Sequence, residues 1–402
     1  MVVGGLLILL RERKLFLLVT YSIFLILIYN GFSNLLPAIL AYRGVSVKVI
    51  GVIYSLEKVL VFILSIIMFT ISAHQAVFYM MPLILALYGS LIVAFALIED
   101  PLIMSALVPL ITGAFLSLRP LNRALVNILV DVRLLGSISG LLRSVILLTS
   151  IVSTAVYGFL LRELGLLNSI LVLLTLIIPT LAIQLFLISM VPGNPTQHTP
   201  SANITVLSLK DIKSLLLEPV LLILSLTQLI ETAIAVYISV ILWDLLGDFA
   251  IVGLAFSAIS LVNMIFSPIM GYISDRVSSP LELIGVSLCV IAVSYLMLSL
   301  SYTYTPLVFI ALILAGIAPS IFIPNLHIYV KSLKTPPTTY FTALEVLSSI
   351  AGMLSPFIAV MVIVKVGFPT FLALYAIGEL LLALTLLTIA LRRKPRSQPL
   401  RS

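Results

Sequence analysis

Several charged or strongly polar side chains lie inside stretches of the sequence that are otherwise apolar. Glu57 and Lys58 are adjacent in the middle of one stretch, and Glu231 lies in another, with Thr227 and Gln228 one turn before it. If these stretches cross a bilayer, each central charge costs at least about 2.5–3.5 kcal/mol on insertion scales. Such a charge is therefore expected to have a function. A buried carboxyl is suited to binding and releasing a proton, because burial disfavours its charged form.

Glu231 is the strongest candidate for a coupling or solute-binding group. On a helix, Thr227 and Gln228 share its face, so the three side chains would form one polar patch. The alternative is a protonated carboxyl that only bonds a neighbouring helix. Glu57 and Lys58 point about 100° apart on a helix, so they are not expected to face one site together. For them, a site role and neutralisation of a neighbouring helix both stay open.

A second polar patch is predicted near the start of the chain. Asn30 and Asn34 are one turn apart and share a helix face, with Tyr29 beside them. They could line a solute path. They could equally bond another helix, an interaction worth about 0.6 kcal/mol on average in membranes.

Composition restricts the class of protein that carries these residues. Of 402 residues, 62% are hydrophobic and 9% charged, against about 45–50% and about 25% in soluble domains. A soluble enzyme, a disordered chain and a nucleic-acid-binding module are therefore excluded. Cys289 is the single cysteine, and His74, His198 and His327 are too far apart for a local metal motif. Without a phosphate-binding glycine loop either, the sequence predicts no cofactor and no metal.

The apolar stretches predict an all-α membrane protein with twelve transmembrane helices. Each stretch has the roughly 20 residues that a membrane-spanning helix needs. The predicted spans are approximately 15–41, 47–71, 76–98, 101–127, 136–160, 167–190, 215–242, 250–272, 281–301, 306–330, 339–364 and 368–391. The only long connection, 191–214, is rich in Pro, Asn and Thr, which is typical of an exposed linker. It separates two predicted six-helix bundles, 15–190 and 215–391.

The distribution of basic residues predicts the orientation. Most of the 22 lysines and arginines fall on one side if both termini lie in the cytoplasm, as the excess of positive charge in cytoplasmic loops requires. Residues 1–14 are interpreted as an N-terminal cytoplasmic extension, because their charges follow the apolar run instead of preceding it. Residues 392–402 form a basic cytoplasmic tail. The predicted location is the cell membrane.

The two halves of the chain repeat each other at an offset of about 202 residues. Six-span halves in the same orientation are parallel repeats, which place a site between them near the midplane. Residue pairs at offsets of 202 or 203 are Tyr29 and Glu231, Gly51 and Gly253, Gly113 and Gly316, Asn122 and Asn325, Arg143 and Glu345, and Gly165 and Gly367.

These features resemble the major facilitator superfamily. The segment Gly271-Tyr272-Ile273-Ser274-Asp275-Arg276 matches the family's signature between spans 8 and 9. The first copy, between spans 2 and 3, is missing its aspartate, since residues 70–74 read Thr-Ile-Ser-Ala-His. The segment Arg119-Pro120-Leu121-Asn122 in span 4 and Arg143 in span 5 are similar to family patterns too.

The resemblance implies a secondary transporter that works by alternating access, not an enzyme. Spans 1, 4, 7 and 10 would line the cavity, and the expected gate residues are Arg119, Arg143, Gly271, Asp275, Arg276 and Glu345. The expected partners are a small-molecule solute, protons and the lipid bilayer, with no nucleic acid, and the chain is expected to be a monomer. The carboxyls favour a proton-coupled exporter or antiporter of a small organic, cationic solute. Alternatives are a carrier of an anionic metabolite that uses Lys58 and Arg119, and a transporter-like membrane sensor.

Overall fold

The structure, a computed structural model, describes residues 13–70, 79–129, 135–190, 218–274, 279–333 and 337–393, and these form ten helices. The all-α prediction is confirmed for this part of the chain. In chain order, the helices are α1 (Arg13–Tyr42), α2 (Val47–Thr70), α3 (Met81–Leu97), α4 (Pro101–Leu129), α5 (Leu135–Ser189), α6 (Pro219–Leu246), α7 (Phe249–Ser274), α8 (Pro280–Leu300), α9 (Leu307–Ser332) and α10 (Pro337–Arg393).

The long helices α5 and α10 are each broken at a glycine. Gly165 has φ 73° and Gly367 has φ 77°. Glycine adopts this left-handed conformation without the steric penalty of a β-carbon. The two breaks fall at the predicted boundaries between spans 5 and 6 and between spans 11 and 12. They are also 202 residues apart, as the repeat predicts. The count of twelve membrane crossings stays a prediction.

The helix surfaces identify a membrane protein that crosses the bilayer several times. Seven of the described helices are long and apolar enough to span a membrane, and two more apolar helices are shorter. On α5, Leu148, Val152 and Val156 are exposed, whereas Ser153 and Thr154 are buried. Apolar side chains outside and hydroxyl groups inside are the arrangement expected where lipid replaces water around a helix bundle.

The chain divides into two compact units. One contains the described residues up to 190 together with Val236–Ser257, and the other contains the described parts of Val206–Ala235 and Ala258–Ser402. In the first unit, α1 lies along α5, α2 lies along α4, and α3 packs on both α4 and α5. In the second unit, α8 packs on α9 and α10. The last eleven residues of α6 and the first nine of α7 thus belong to the first unit, whereas the sequence assigned both helices to the second bundle.

Equivalent contacts recur inside the two units at the offset of 202. The Ser153 hydroxyl donates to the carbonyl oxygen of Leu27 at 3.0 Å, and the Ser355 hydroxyl donates to that of Leu229. A β-carbon added at Gly113 would meet Leu60, and one added at Gly316 would meet Val262, at offsets of 203 and 202 residues. The repeat seen in the sequence therefore extends to individual packing contacts.

Candidate functional site

Helix α6 positions the predicted coupling carboxyl beside an amide. Gln228 Nε2 donates to Glu231 Oε2 at 2.8 Å, which a separation of three residues on one helix face allows. Glu231 is partly accessible, whereas Thr227 is completely buried. Two members of the predicted polar patch, Gln228 and Glu231, are thus in contact, and the hydrogen-bond donor described for Glu231 is neutral.

A second carboxyl that the sequence analysis did not select lies near Glu231. Glu379 on α10 is 0% exposed, and Thr227, Glu231 and Tyr295 lie close enough to interact with it. The two helices approach closely here, since a β-carbon at Gly378 would lie 3.3 Å from Cδ1 of Ile230. We call Thr227, Gln228, Glu231, Tyr295 and Glu379 the carboxyl cluster. The signal that could have found Glu379 is its charge within an apolar span.

Glu57 and Lys58 pair with each other. Lys58 Nζ lies 2.9 Å from Glu57 Oε1, with Glu57 almost completely buried and the lysine side chain 31% exposed. The sequence analysis did not predict this contact, and whether both side chains face one site stays a prediction. The long, flexible lysine side chain bends back around the helix, so that the two charged groups meet although their Cβ atoms point apart.

The polar patch on α1 makes contacts between helices. Asn30 donates to the Ser150 hydroxyl at 2.7 Å, and Asn34 donates to that of Thr154 at 3.2 Å. Tyr29 stacks on Phe115 of α4, with ring centroids 3.4 Å apart. Of the two roles that the sequence left open, the interhelical one is thus occupied by both asparagines, and a role in solute contact stays a prediction.

A cavity of about 510 Å³ opens at the predicted outer end of the first unit. Aromatic rings from the helices α1, α6 and α7 meet at it. Trp243 stacks on Phe249 at 4.1 Å, and Tyr42 packs edge-on against both rings. Arg162 and Asp248 also line this cavity and form an ion pair. The sequence analysis did not identify this cluster, because its members come from three distant segments of the chain.

The predicted gate residues fall largely outside the described part of the structure. Gly271 lies near the end of α7, and a β-carbon there would meet nothing within 4 Å. Asp275 and Arg276 lie outside the described residues, as do the side chains of Arg119, Arg143 and Glu345. The gate therefore stays a prediction. No group of three or more histidine, cysteine or acidic residues that could hold a metal occurs within the described ranges.

Several solved structures of other proteins resemble this fold. The chain is similar to the nucleoside transporter NupG (TM-score 0.69, 14% identity, covering 94% of this chain and 99% of that chain). It is also similar to a bacterial homologue of the human lysosomal transporter Spinster, in an inward-facing and unoccupied conformation (0.66, 14%, 94% and 95%). An auto-inhibited peptide transporter of the POT family is similar too (0.71, 12%, 97% and 99%). At these identities, the likeness shows a shared fold.

The second half of the sequence matches a family model. The model of the Major Facilitator Superfamily matches residues 220–402. No curated protein sequence matches the chain. The family match and the shared fold support a secondary transporter of small molecules rather than an enzyme. The match over residues 220–402 confirms the resemblance to the major facilitator superfamily that the sequence analysis described.

Proposed function

We propose that the chain is a proton-coupled antiporter that exports a small organic cation across the cell membrane by alternating access, with Glu231 as the coupling carboxyl and both termini in the cytoplasm. One observation carries this proposal. Glu231 is accessible in part, and its carboxylate accepts a hydrogen bond from a neutral amide, Gln228, at 2.8 Å. A neutral partner orients the carboxyl without fixing its charge, so that it can alternate between the protonated and the charged form.

Exchange of a proton for a cationic solute follows because the two compete for the Glu231 carboxyl. While no solute is bound, the Glu231 carboxyl can take up a proton. When water or a cationic solute reaches the carboxyl, the charged form is stabilised and the proton leaves. A carrier that must hold either a proton or a cation on Glu231 exchanges one for the other.

The Glu57–Lys58 ion pair bears on the charge of the solute. A carrier of anionic metabolites would need Lys58 as a free positive charge. The ion pair with Glu57 at 2.9 Å offsets that charge, which supports the cationic solute over the anionic one. The similar structures are described as transporters of nucleosides and of peptides. Both classes therefore belong in the panel of test solutes, beside organic cations and anions.

The test is transport by the purified protein in liposomes that enclose a pH-sensitive dye. A solute that the wild type carries should move protons in the opposite direction. Glu231→Gln keeps the shape and hydrogen bonding of the side chain but cannot titrate, so it should lose uphill transport while retaining exchange of solute without a gradient. The exposed Glu99 gives a matched control, and Glu99→Gln should transport like the wild type.

Two results would contradict the proposal. If Glu231→Gln transports uphill with wild-type pH dependence, Glu231 is structural and Glu57 becomes the next candidate. If no solute in the panel moves or drives proton flux, although the wild-type protein is folded in the liposomes, the alternative of a membrane sensor gains support.

A further inference from the structure

The side chain of Glu379 is completely buried, where a charge is difficult to accommodate. It is 0% exposed, and within the described part of the chain neither of its carboxylate oxygens has a hydrogen-bond partner. A buried carboxylate without donors is strongly destabilised, and such a group takes up a proton instead. The structure therefore favours a neutral, protonated Glu379.

The neighbours of Glu379 are able to share its proton. The Thr227 hydroxyl is 0% exposed and faces the Glu379 carboxyl without completing a well-formed hydrogen bond among the described residues. Glu231 is one turn further along the same face of α6, within interaction range of Glu379. From α8, Tyr295 lies near both carboxyls. Tyr375 is a further titratable residue on α10, one turn before Glu379.

The repeat provides a comparison within the molecule. At an offset of 202 residues, the positions of Thr227, Glu231 and Glu379 correspond to Leu25, Tyr29 and Ile177 in the first unit. Leu25, Tyr29 and Ile177 are buried there. The fold thus accommodates apolar or aromatic side chains at all three places. A hydroxyl and two carboxyls at the equivalent places of the second unit are not required by packing.

We propose that Glu379 is a second proton-binding group, and that Glu231 and Glu379 together hold one proton that passes between them. The proton leaves the carboxyl oxygen of Glu379 and binds the Glu231 carboxylate, so that one group is neutral and the other charged before and after the transfer. Two carboxyls in one apolar site avoid carrying two negative charges at once, so they titrate as a pair. The proposal rests on the proposed function for the role of Glu231 in coupling. If Glu231 is the coupling carboxyl, Glu379 is the buried group that holds the coupling proton.

Infrared difference spectroscopy of the full-length protein tests the pair without a solute or a gradient. In the wild type near neutral pH, the absorption of a protonated carboxyl should be present, and Glu379→Gln should remove it. In Glu231→Gln, the remaining carboxyl no longer has a charged neighbour, so it should lose its proton at a pH lower by more than about one unit, the coupling expected of interacting sites. Glu282→Gln, at the start of α8, is the carboxyl-to-amide control and should change neither result.

Two other variants test the proposal if Glu379→Gln does not fold. Glu379→Ile introduces the residue of the equivalent position 177 and should remove the same absorption. Thr227→Val keeps both carboxyls and should change the pH at which the absorption disappears. If the absorption persists without Glu379, or if Glu231→Gln leaves its pH dependence unchanged, the proposal is wrong. The spectra are recorded in choline chloride. Exchanging it for sodium chloride should have no effect, and an absorption that responds to sodium but not to pH would contradict the proposal and indicate a cation site.

The two proposals fail separately. If the titrations are coupled but no solute drives proton flux, the carboxyl pair stands and the proposed transport function falls. If Glu231→Gln abolishes uphill transport while Glu379 titrates independently, the transport function stands and the shared proton is refuted.

Discussion

Arg162 on α5 and Asp248 immediately before α7 form an ion pair, with 3.6 Å between Nη1 and Oδ2. The other oxygen of Asp248 accepts hydrogen bonds from the backbone N–H groups of Ala250 and Ile251, at 2.7 and 3.3 Å. Asp248 therefore caps the N-terminus of α7 and also joins it to α5. The backbone hydrogen bonds satisfy donors that a helix start leaves free, and the negative charge complements the positive end of the helix.

Replacing Asp248 should separate these two roles. Asp248→Ala removes cap and ion pair together and should lower the free energy of unfolding by about 0.5–2 kcal/mol, as the loss of a helix cap does. Asp248→Asn keeps the cap and removes the charge, so it should cost only about 0–1 kcal/mol, because exposed ion pairs contribute little. Thermal unfolding in detergent measures both effects. Equal losses for the Ala and Asn variants would show that the cap contributes nothing.

The contact between α5 and α7 depends on two glycines. A β-carbon at Gly158 would lie 2.5 Å from the carbonyl oxygen of Phe249, and one at Gly253 would lie 2.6 Å from that of Thr154. Since backbone atoms cannot move aside cheaply, Gly158→Ala and Gly253→Ala should each destabilise the protein by about 1–3 kcal/mol. Gly271→Ala, which meets nothing within 4 Å, is the control for stability. Unchanged unfolding of both variants would contradict the tight packing of these helices.

The sequence predicted the elements of the fold well, because their signals are local. Apolar length gave most spans within a few residues, and the fixed offset identified Gly165 and Gly367 as equivalent. Contacts between distant segments were less accessible. Asn30 and Ser150 are 120 residues apart, and no periodicity says which helix faces which. The sequence also did not predict that α6 is divided between Ala235 and Val236, since composition does not show that its last residues belong to the first unit.

The candidate site shows the same limit. Glu231 and Gln228 could be placed on one face because both lie on a single helix. Glu379 was visible as an intramembrane charge, but its proximity to Glu231 depends on the packing of α10 against α6. Helix geometry places Cβ atoms, not the ends of long side chains, and for this reason the contact of Lys58 with Glu57 was missed.

The role of Asn30 can be decided by removing its hydrogen bond from either side. Asn30→Ala and Ser150→Ala both break the bond of 2.7 Å, and each should cost about 0.6 kcal/mol, the average for such bonds in membranes. If Asn30 only packs helices, both variants should show the same apparent affinity for solute in the liposome assay. If it also contacts solute, Asn30→Ala alone should raise KM. A larger loss of affinity in Ser150→Ala would contradict both roles.

The Glu57–Lys58 ion pair predicts that removing both charges destabilises the protein less than removing the lysine charge alone. Lys58→Met leaves a carboxylate that is almost completely buried without its cation, and an unsatisfied buried group costs about 1–3 kcal/mol. The value should fall toward the lower end, because the lysine is 31% exposed and water can partly replace it. Glu57→Gln combined with Lys58→Met removes both charges and should unfold at a higher temperature than Lys58→Met alone. Additive losses in this double-mutant cycle would mean that the two charges do not stabilise each other.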